Sequence, residues 1–130
     1  MPGHLTVTDQ DATRFITLAR PEKKNALTQG MYRTMSDAID AAQEDSSIRC
    51  LVITGSSGVF TSGNDLEDFM KAGIAQGSMP RETAATQFLH ALANNTKPLI
   101  AAVDGLAIGI GTTLLFHCDY VLATTSASFS

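Results

Sequence analysis

Basic residues are scarce in this chain. Nine lysines and arginines stand against thirteen aspartates and glutamates, for a formal net charge of −4. No basic stripe stands out, which argues against a nucleic-acid partner. Cysteine is nearly absent: Cys50 and Cys118 lie far apart without metal-ligand spacing. They read as buried free thiols in a reducing compartment, and no metal site is expected. No apolar run is long enough to span a membrane. The N-terminus lacks a charged region leading into an apolar one, so no signal peptide is expected and the expected location is cytoplasmic. Internal repeats and low-complexity tracts are also missing. What is present is 130 residues, 44% apolar and 17% charged, a globular composition rather than a disordered one. The length fits one domain with a real but modest core.

The stretch from Leu99 to Tyr120 organises the rest. Leu99–Val103 follows Pro98 as a short apolar run, as expected for a strand buried on both faces. Gly105, Gly109 and Gly111 then allow a close backbone approach or positive φ. Thr112–Phe116 continues as a buried apolar helix. A helix N-terminus beside glycines presents unbonded N–H groups, which suit a developing negative charge.

Elsewhere, Leu5–Asp9 and Arg14–Leu18 read as two strands around a turn, and Arg20–Asn25 as a polar loop. Thr28 is a plausible N-cap for a helix to about Glu44. Met31, Met35, Ile39 and Ala42 form its apolar stripe, with Asp37, Asp40 and Glu44 toward solvent. Arg49–Thr54 is the clearest strand. Lys71–Pro80 reads as a mobile loop. A second helix is expected over Arg81–Asn94, with Ala84, Ala85, Phe88 and Leu92 inward. Asp119–Ala123 is a further strand, and Ser126–Ser130 opens another. Alternating strands and helices give an α/β class with right-handed crossovers.

Two glycine turns follow two strands, Ser62-Gly63-Asn64-Asp65 and Gly105 to Gly111. Facing each other, they would offer two N–H donors to one oxygen, an oxyanion hole. The same glycines also suit tight helix-on-strand packing. His90 and His117 read as structural histidines and His4 as solvated.

Three segments carry a resemblance: Arg20-Pro-Glu-Lys-Lys-Asn-Ala-Leu-Thr28, Phe60-Thr-Ser-Gly-Asn-Asp-Leu66, and Asp104-Gly-Leu-Ala-Ile-Gly-Ile-Gly111 through His117-Cys-Asp119. In this order and spacing they resemble the crotonase (enoyl-CoA hydratase/isomerase) superfamily, from Leu5 to Ser130. The resemblance implies a spiral of βαβ repeats, of which residues 1–130 would be the N-terminal part, and assembly as homotrimers or hexamers. It also implies acyl-CoA chemistry through a thioester enolate, with CoA as part of the substrate and no separate cofactor. The donors to the thioester oxygen would be the backbone N–H groups of Asn64 and Ile110. Lys23, Lys24, Ala26, Leu27, Ser62, Asp65 and Leu66 would join Asn64 and Ile110 in binding substrate and CoA. Ala26 and Leu27 would line the pantetheine and adenine path, while Arg20, Lys23 and Lys24 meet phosphates. On its residues alone this loop also fits a solvated basic segment, and Asp65 a local cap. Asp104 and Asp119 fall on structural positions.

The sequence departs from the hydratase pattern at Thr113, where hydratases of the family place a catalytic glutamate. A threonine hydroxyl cannot activate water as a carboxylate does. The Gly-Ile-Gly-Thr-Thr-Leu-Leu form resembles the Δ3,Δ2-enoyl-CoA isomerase branch, which needs one carboxylate. Glu67 and Asp68 match no base position of the family, so that carboxylate is expected beyond residue 130, together with the trimer-forming helices. The leading expectation is therefore an enoyl-CoA isomerase of fatty acid metabolism, with these 130 residues inactive alone. Another crotonase-family activity such as hydration, and a non-catalytic CoA-binding or assembly module, are the alternatives.

Overall fold

The computed structural model describes residues 4–76 and 83–130. Strands β1 (Leu5–Gln10) and β2 (Thr13–Leu18) form an antiparallel hairpin. Helix α1 (Gln29–Gln43) begins where expected, and the Thr28 side chain accepts the Met31 N–H as its N-cap. Met31, Met35, Ile39 and Ala42 are all buried along one stripe. Each large apolar side chain so buried contributes about 2 kcal/mol. Strands β3 (Cys50–Thr54) and β4 (Val59–Thr61) follow, then helices α2 (Leu66–Gln76) and α3 (Ala84–Asn94). Strands β5 (Leu99–Val103) and β6 (Leu106–Ala107) lead into a single turn of helix, α4 (Ile110–Thr113). Strands β7 (Tyr120–Ala123) and β8 (Ser128–Phe129) complete the order.

The strands form two sheets. One has the order β1-β2-β3-β5-β7, the other β4-β6-β8. All pairs except the hairpin are parallel. Each strand of the larger sheet from β3 onward runs directly into one of the smaller, β3 to β4, β5 to β6 and β7 to β8. The backbone therefore winds as a spiral, as the resemblance implies. Ile16, Ile53 and Ala101 share one register row, and all three are completely buried. Asp119 Oδ2 accepts the Leu99 N–H at 2.8 Å, and Asp104 Oδ1 accepts the Thr124 hydroxyl at 2.9 Å. Both carboxylates thus tie successive turns of the spiral together.

Several expectations change. First, residues 71–76 belong to helix α2 rather than a loop. Asp65 Oδ1 accepts the Asp68 N–H at 2.9 Å, which caps the helix. Glu67 and Asp68 complement its N-terminal dipole, and Glu67 pairs with Lys71 one turn on. The remainder of that stretch, 77–80, lies outside the described residues. So do residues 81–82 at the expected start of the second helix, which is described from Ala84 with Thr83 as N-cap. Second, β5 is buried on one face only: Leu99, Ala101 and Val103 face inward, while Ile100 and Ala102 are half-buried. Third, the apolar helix after Gly111 is a short pair of turns, α4 and a 3-10 turn over Leu114–His117. So short a segment buries one edge, Gly111 and Leu114, and leaves Phe116 86% exposed and His117 exposed. His90 is exposed too, and Cys50 and Cys118 are half-buried free thiols rather than fully buried ones.

Candidate active site

The site begins with a polar loop that the chain holds from within. Pro21–Lys23 form a 3-10 turn, and Lys24 and Asn25 follow with φ of 51° and 56°. Asparagine tolerates this left-handed conformation better than most residues. The Asn25 side chain is fully buried, and its amide is fully used. Oδ1 accepts the Arg20 N–H at 2.8 Å, and Nδ2 donates to the Val59 and Phe60 carbonyls at 3.0 and 3.1 Å. The Thr61 hydroxyl donates to the Asn25 carbonyl at 2.6 Å and accepts the Gly63 N–H at 3.1 Å. Loop, strand β4 and the turn after it therefore share one buried polar network.

That turn is clamped along one side. Leu27 N–H donates to the Gly63 carbonyl at 2.8 Å, and Asp65 N–H donates to the Leu27 carbonyl at 2.9 Å. The Gly63 carbonyl and the Asn64 N–H belong to one planar trans peptide, so they point in opposite directions. With the carbonyl held by Leu27, the Asn64 N–H is directed away from the loop, and it meets no acceptor among the described residues. Gly63 has φ of 97°, a conformation open to glycine.

The second turn abuts the first. Ile108 N–H donates to the Thr61 carbonyl at 3.0 Å, and a Cβ on Gly63 would lie 3.1 Å from the Ile108 carbonyl oxygen. Gly111 is packed so closely that a Cβ there would lie 2.6 Å from Thr61 Cγ2. The Gly109 carbonyl accepts the Thr112 and Thr113 N–H groups. By the same peptide geometry the Ile110 N–H leaves the opposite way, out of the start of α4, and it too has no acceptor among the described residues. Each of the two abutting turns thus carries one N–H without an acceptor among the described residues.

The other expected binding residues divide. Lys23 and Lys24 are exposed at the loop's rim, and Ala26 and Ser62 are half-buried. Leu66 is 74% exposed at the start of α2. Leu27, expected to line a ligand path, is only 2% exposed. Its side chain enters the core because its backbone is committed to the Gly63 turn. Arg20, expected to meet phosphates, turns inward instead: Nη1 donates to Asp65 Oδ2 at 2.7 Å and to the Ala26 carbonyl at 3.1 Å. The Asp68 N–H, and then Arg20, hold the Asp65 carboxyl below the usual carboxylate range. Asp68 Oδ2 accepts the Gln29 N–H at 2.9 Å at the start of α1. Thr113 is exposed at the last residue of α4.

Sequence reasoning missed Tyr32. It is 2% exposed, and its hydroxyl donates to Asn64 Oδ1. The signal available was a phenol on the core stripe of α1, which needs a polar partner when buried.

A family profile described as enoyl-CoA hydratase/isomerase matches residues 8–130. Human enoyl-CoA delta isomerase 2 is 38% identical over 128 residues, covering 96% of this chain and 32% of that protein. The 2,3-dehydroadipyl-CoA hydratase of Escherichia coli K12 is 36% identical over 130 residues, 98% of this chain and 49% of that one. In three dimensions the chain superposes on Pseudomonas aeruginosa OdaA with a TM-score of 0.89 at 42% identity, over 98% of this chain and 50% of that one. The Mycobacterium marinum enoyl-CoA hydratase EchA8_6 superposes with a TM-score of 0.87 at 33% identity, over 97% and 60%. The chain spans about a third to a half of the length of the curated relatives it matches. On the match over residues 8–130, together with the spiral of parallel strands, this chain belongs to the enoyl-CoA hydratase/isomerase family of the crotonase superfamily.

Proposed function

We propose that this chain provides the thioester-holding part of an acyl-CoA enzyme whose reaction is Δ3,Δ2-enoyl-CoA isomerisation in fatty acid metabolism. The observation that carries the reading is the pair of unbonded amides, Asn64 and Ile110, on abutting turns. In this reading both donate to the thioester oxygen and stabilise the enolate formed when the α-carbon loses a proton. Lys23 and Lys24 meet the CoA phosphates as mobile surface charges, and Ala26, Ser62, Asp65 and Leu66 border its path. Leu27 contributes through its backbone, by fixing the Asn64 peptide.

Isomerisation needs one carboxylate to carry a proton from the α- to the γ-carbon. The carboxylates near the turns have other partners: Asp65 and Asp68 hold helix ends, and Glu67 pairs with Lys71. The base in this reading comes from outside these residues. Thr113, in place of a carboxylate, supports isomerisation over hydration. Tyr120, Leu122 and Phe129, all about half exposed or more, support burial against further chain in a homotrimer or hexamer. No helix among the described residues is long and apolar enough to cross a membrane. The free thiols support a reducing compartment, in this reading the cytoplasm.

The test offers the full-length protein a 3-enoyl-CoA and a 2-enoyl-CoA. Faster isomerisation of the first than hydration of the second supports the reading, and the reverse overturns the isomerase assignment. Binding of acyl-CoA without exchange of α-protons into deuterated water would make it a non-catalytic module.

A further inference from the structure

The Asn64 amide is held at three points, two through the backbone and one through the side chain. The two peptides flanking its Cα are each bonded to Leu27, at 2.8 and 2.9 Å. The third point is the side chain, whose Oδ1 accepts the Tyr32 hydroxyl. Asn64 is otherwise exposed, so without that bond its side chain would rotate in solvent. Tyr32 itself has little freedom. It is 2% exposed, and its ring packs on Phe88 of α3 at 5.5 Å between centroids, tilted by 46°. The Ser36 hydroxyl and the Tyr32 carbonyl are bonded within α1 at 2.8 Å.

We propose that Tyr32 is a positioning residue for the first thioester-oxygen donor: its buried hydroxyl fixes the Asn64 side chain and thereby the direction of the Asn64 N–H. The inference rests on the function proposed above. The hydroxyl orients the Asn64 side chain from α1, packed against α3, whereas the Leu27 bonds hold only the backbone on either side of it. A donor that must meet an oxygen only as charge builds on it is sensitive to small displacements. Burial pushes the pKa of the phenol up and so disfavours its ionisation, and it stays a proton donor throughout the neutral range.

Tyr32→Phe removes the hydroxyl and keeps the ring against Phe88. Asn64→Ala keeps the backbone N–H and removes the acceptor. In the full-length protein each variant should lower kcat on a 3-enoyl-CoA by roughly tenfold to a hundredfold, with KM changed less than about twofold. The double variant should be no worse than the poorer single one, as for residues acting through one contact. Amide hydrogen exchange at Leu27 and Asp65, read by NMR, should quicken several-fold in Tyr32→Phe. A Tyr32→Phe enzyme with wild-type kcat, or losses that add in the double variant, would overturn the proposal. So would unchanged exchange at both amides. If the wild-type protein has no isomerase or hydratase activity, the function proposed above fails. Exchange at the two amides still decides whether Tyr32 holds the turn.

Discussion

Arg20 Nη1 lies 2.7 Å from Asp65 Oδ2, and both side chains are only 13% exposed. The pair joins the loop after β2 to the first turn of α2, across the foot of the turn that carries Asn64. Asp65 is also the N-cap of α2 through its other oxygen. One carboxylate thus fixes two of the elements that border the candidate site.

Two variants separate these roles. Asp65→Asn keeps a capping side chain and loses the charge, and should cost about 1 kcal/mol. Asp65→Ala loses both, and should cost about 2 kcal/mol. The hydrogen bond from Asp68 and the Arg20 charge hold the Asp65 carboxyl low in the folded state, while the unfolded chain keeps the ordinary value near 4. The unfolded state therefore binds the proton first as pH falls. The wild-type advantage over Asp65→Asn should be complete at neutral pH, shrink below about pH 4, and vanish below the folded value. Urea unfolding of both proteins across pH 2–7 checks it. A difference independent of pH would mean that the carboxylate charge contributes nothing.

The abutting turns give a second prediction. A Cβ at Gly111 would lie 2.6 Å from Thr61 Cγ2 and 3.1 Å from the Thr61 carbonyl oxygen. Gly111→Ala should lower stability by about 1–3 kcal/mol, a typical cost of overpacking. Thr61→Ser removes only the obstructing methyl and keeps the hydroxyl bonded to Asn25 and Gly63. Thermal unfolding should show the Gly111→Ala loss partly recovered when Thr61→Ser is added.

Much of this arrangement was legible in the sequence, for identifiable reasons. Thr28 and the Met31–Met35–Ile39–Ala42 stripe combine a cap with helical spacing, and α1 follows them. Leu99–Val103 is a compact apolar run after a proline, and β5 matches it residue for residue. The winding of the spiral was legible only through the family resemblance of the three segments, not through local pattern. Strands β6 and β8 are two residues each, too short for any alternation to register. Helix α2 was hidden because Gly73 argues against a helix, while Asp65, which caps it, reads equally well as a turn residue. Leu27 and Arg20 were misassigned because a loop's exposure cannot be read from polarity. Leu27 is drawn into the core by a backbone bridge to Asn64, and Arg20 by a carboxylate 45 positions later. Both contacts are long-range pairings that local pattern does not encode.

Ile110 is the first residue of α4, the helical position where proline is best tolerated because its N–H has no intrahelical partner. Ile110→Pro therefore deletes the second candidate donor without breaking a helix bond, at the cost of the partly buried isoleucine side chain that packs against the core. In the full-length protein it should lower kcat for 3-enoyl-CoA isomerisation by about 10²–10³, whereas Ile110→Ala, which loses the same packing but keeps the N–H, should lower kcat far less. Retained turnover would remove Ile110 from the site.

Asn25 gives the last prediction, because it is the least replaceable polar residue in the loop. It is completely buried, has φ of 56°, and its side chain makes three hydrogen bonds. Asn25→Ala would strand the Arg20 N–H at the start of the loop and remove the donor to the Val59 and Phe60 carbonyls. It would also place an alanine in the left-handed region. Each stranded buried group costs about 1–3 kcal/mol, and the strained backbone about 1 kcal/mol more. The total is a large share of the stability of a small domain. Asn25→Asp keeps the acceptor for Arg20 N–H and tolerates the same φ, but it presents oxygen to two carbonyls. Its defect should therefore ease in acid, where a protonated carboxyl can donate to one of them. Unfolding free energies should fall in the order wild type, Asn25→Asp at pH 4, Asn25→Asp at pH 7. The wild-type value at each pH serves as the reference. If Asn25→Asp were as stable as wild type at pH 7, the Nδ2 bonds to β4 would not be what holds the loop against the Gly63 turn.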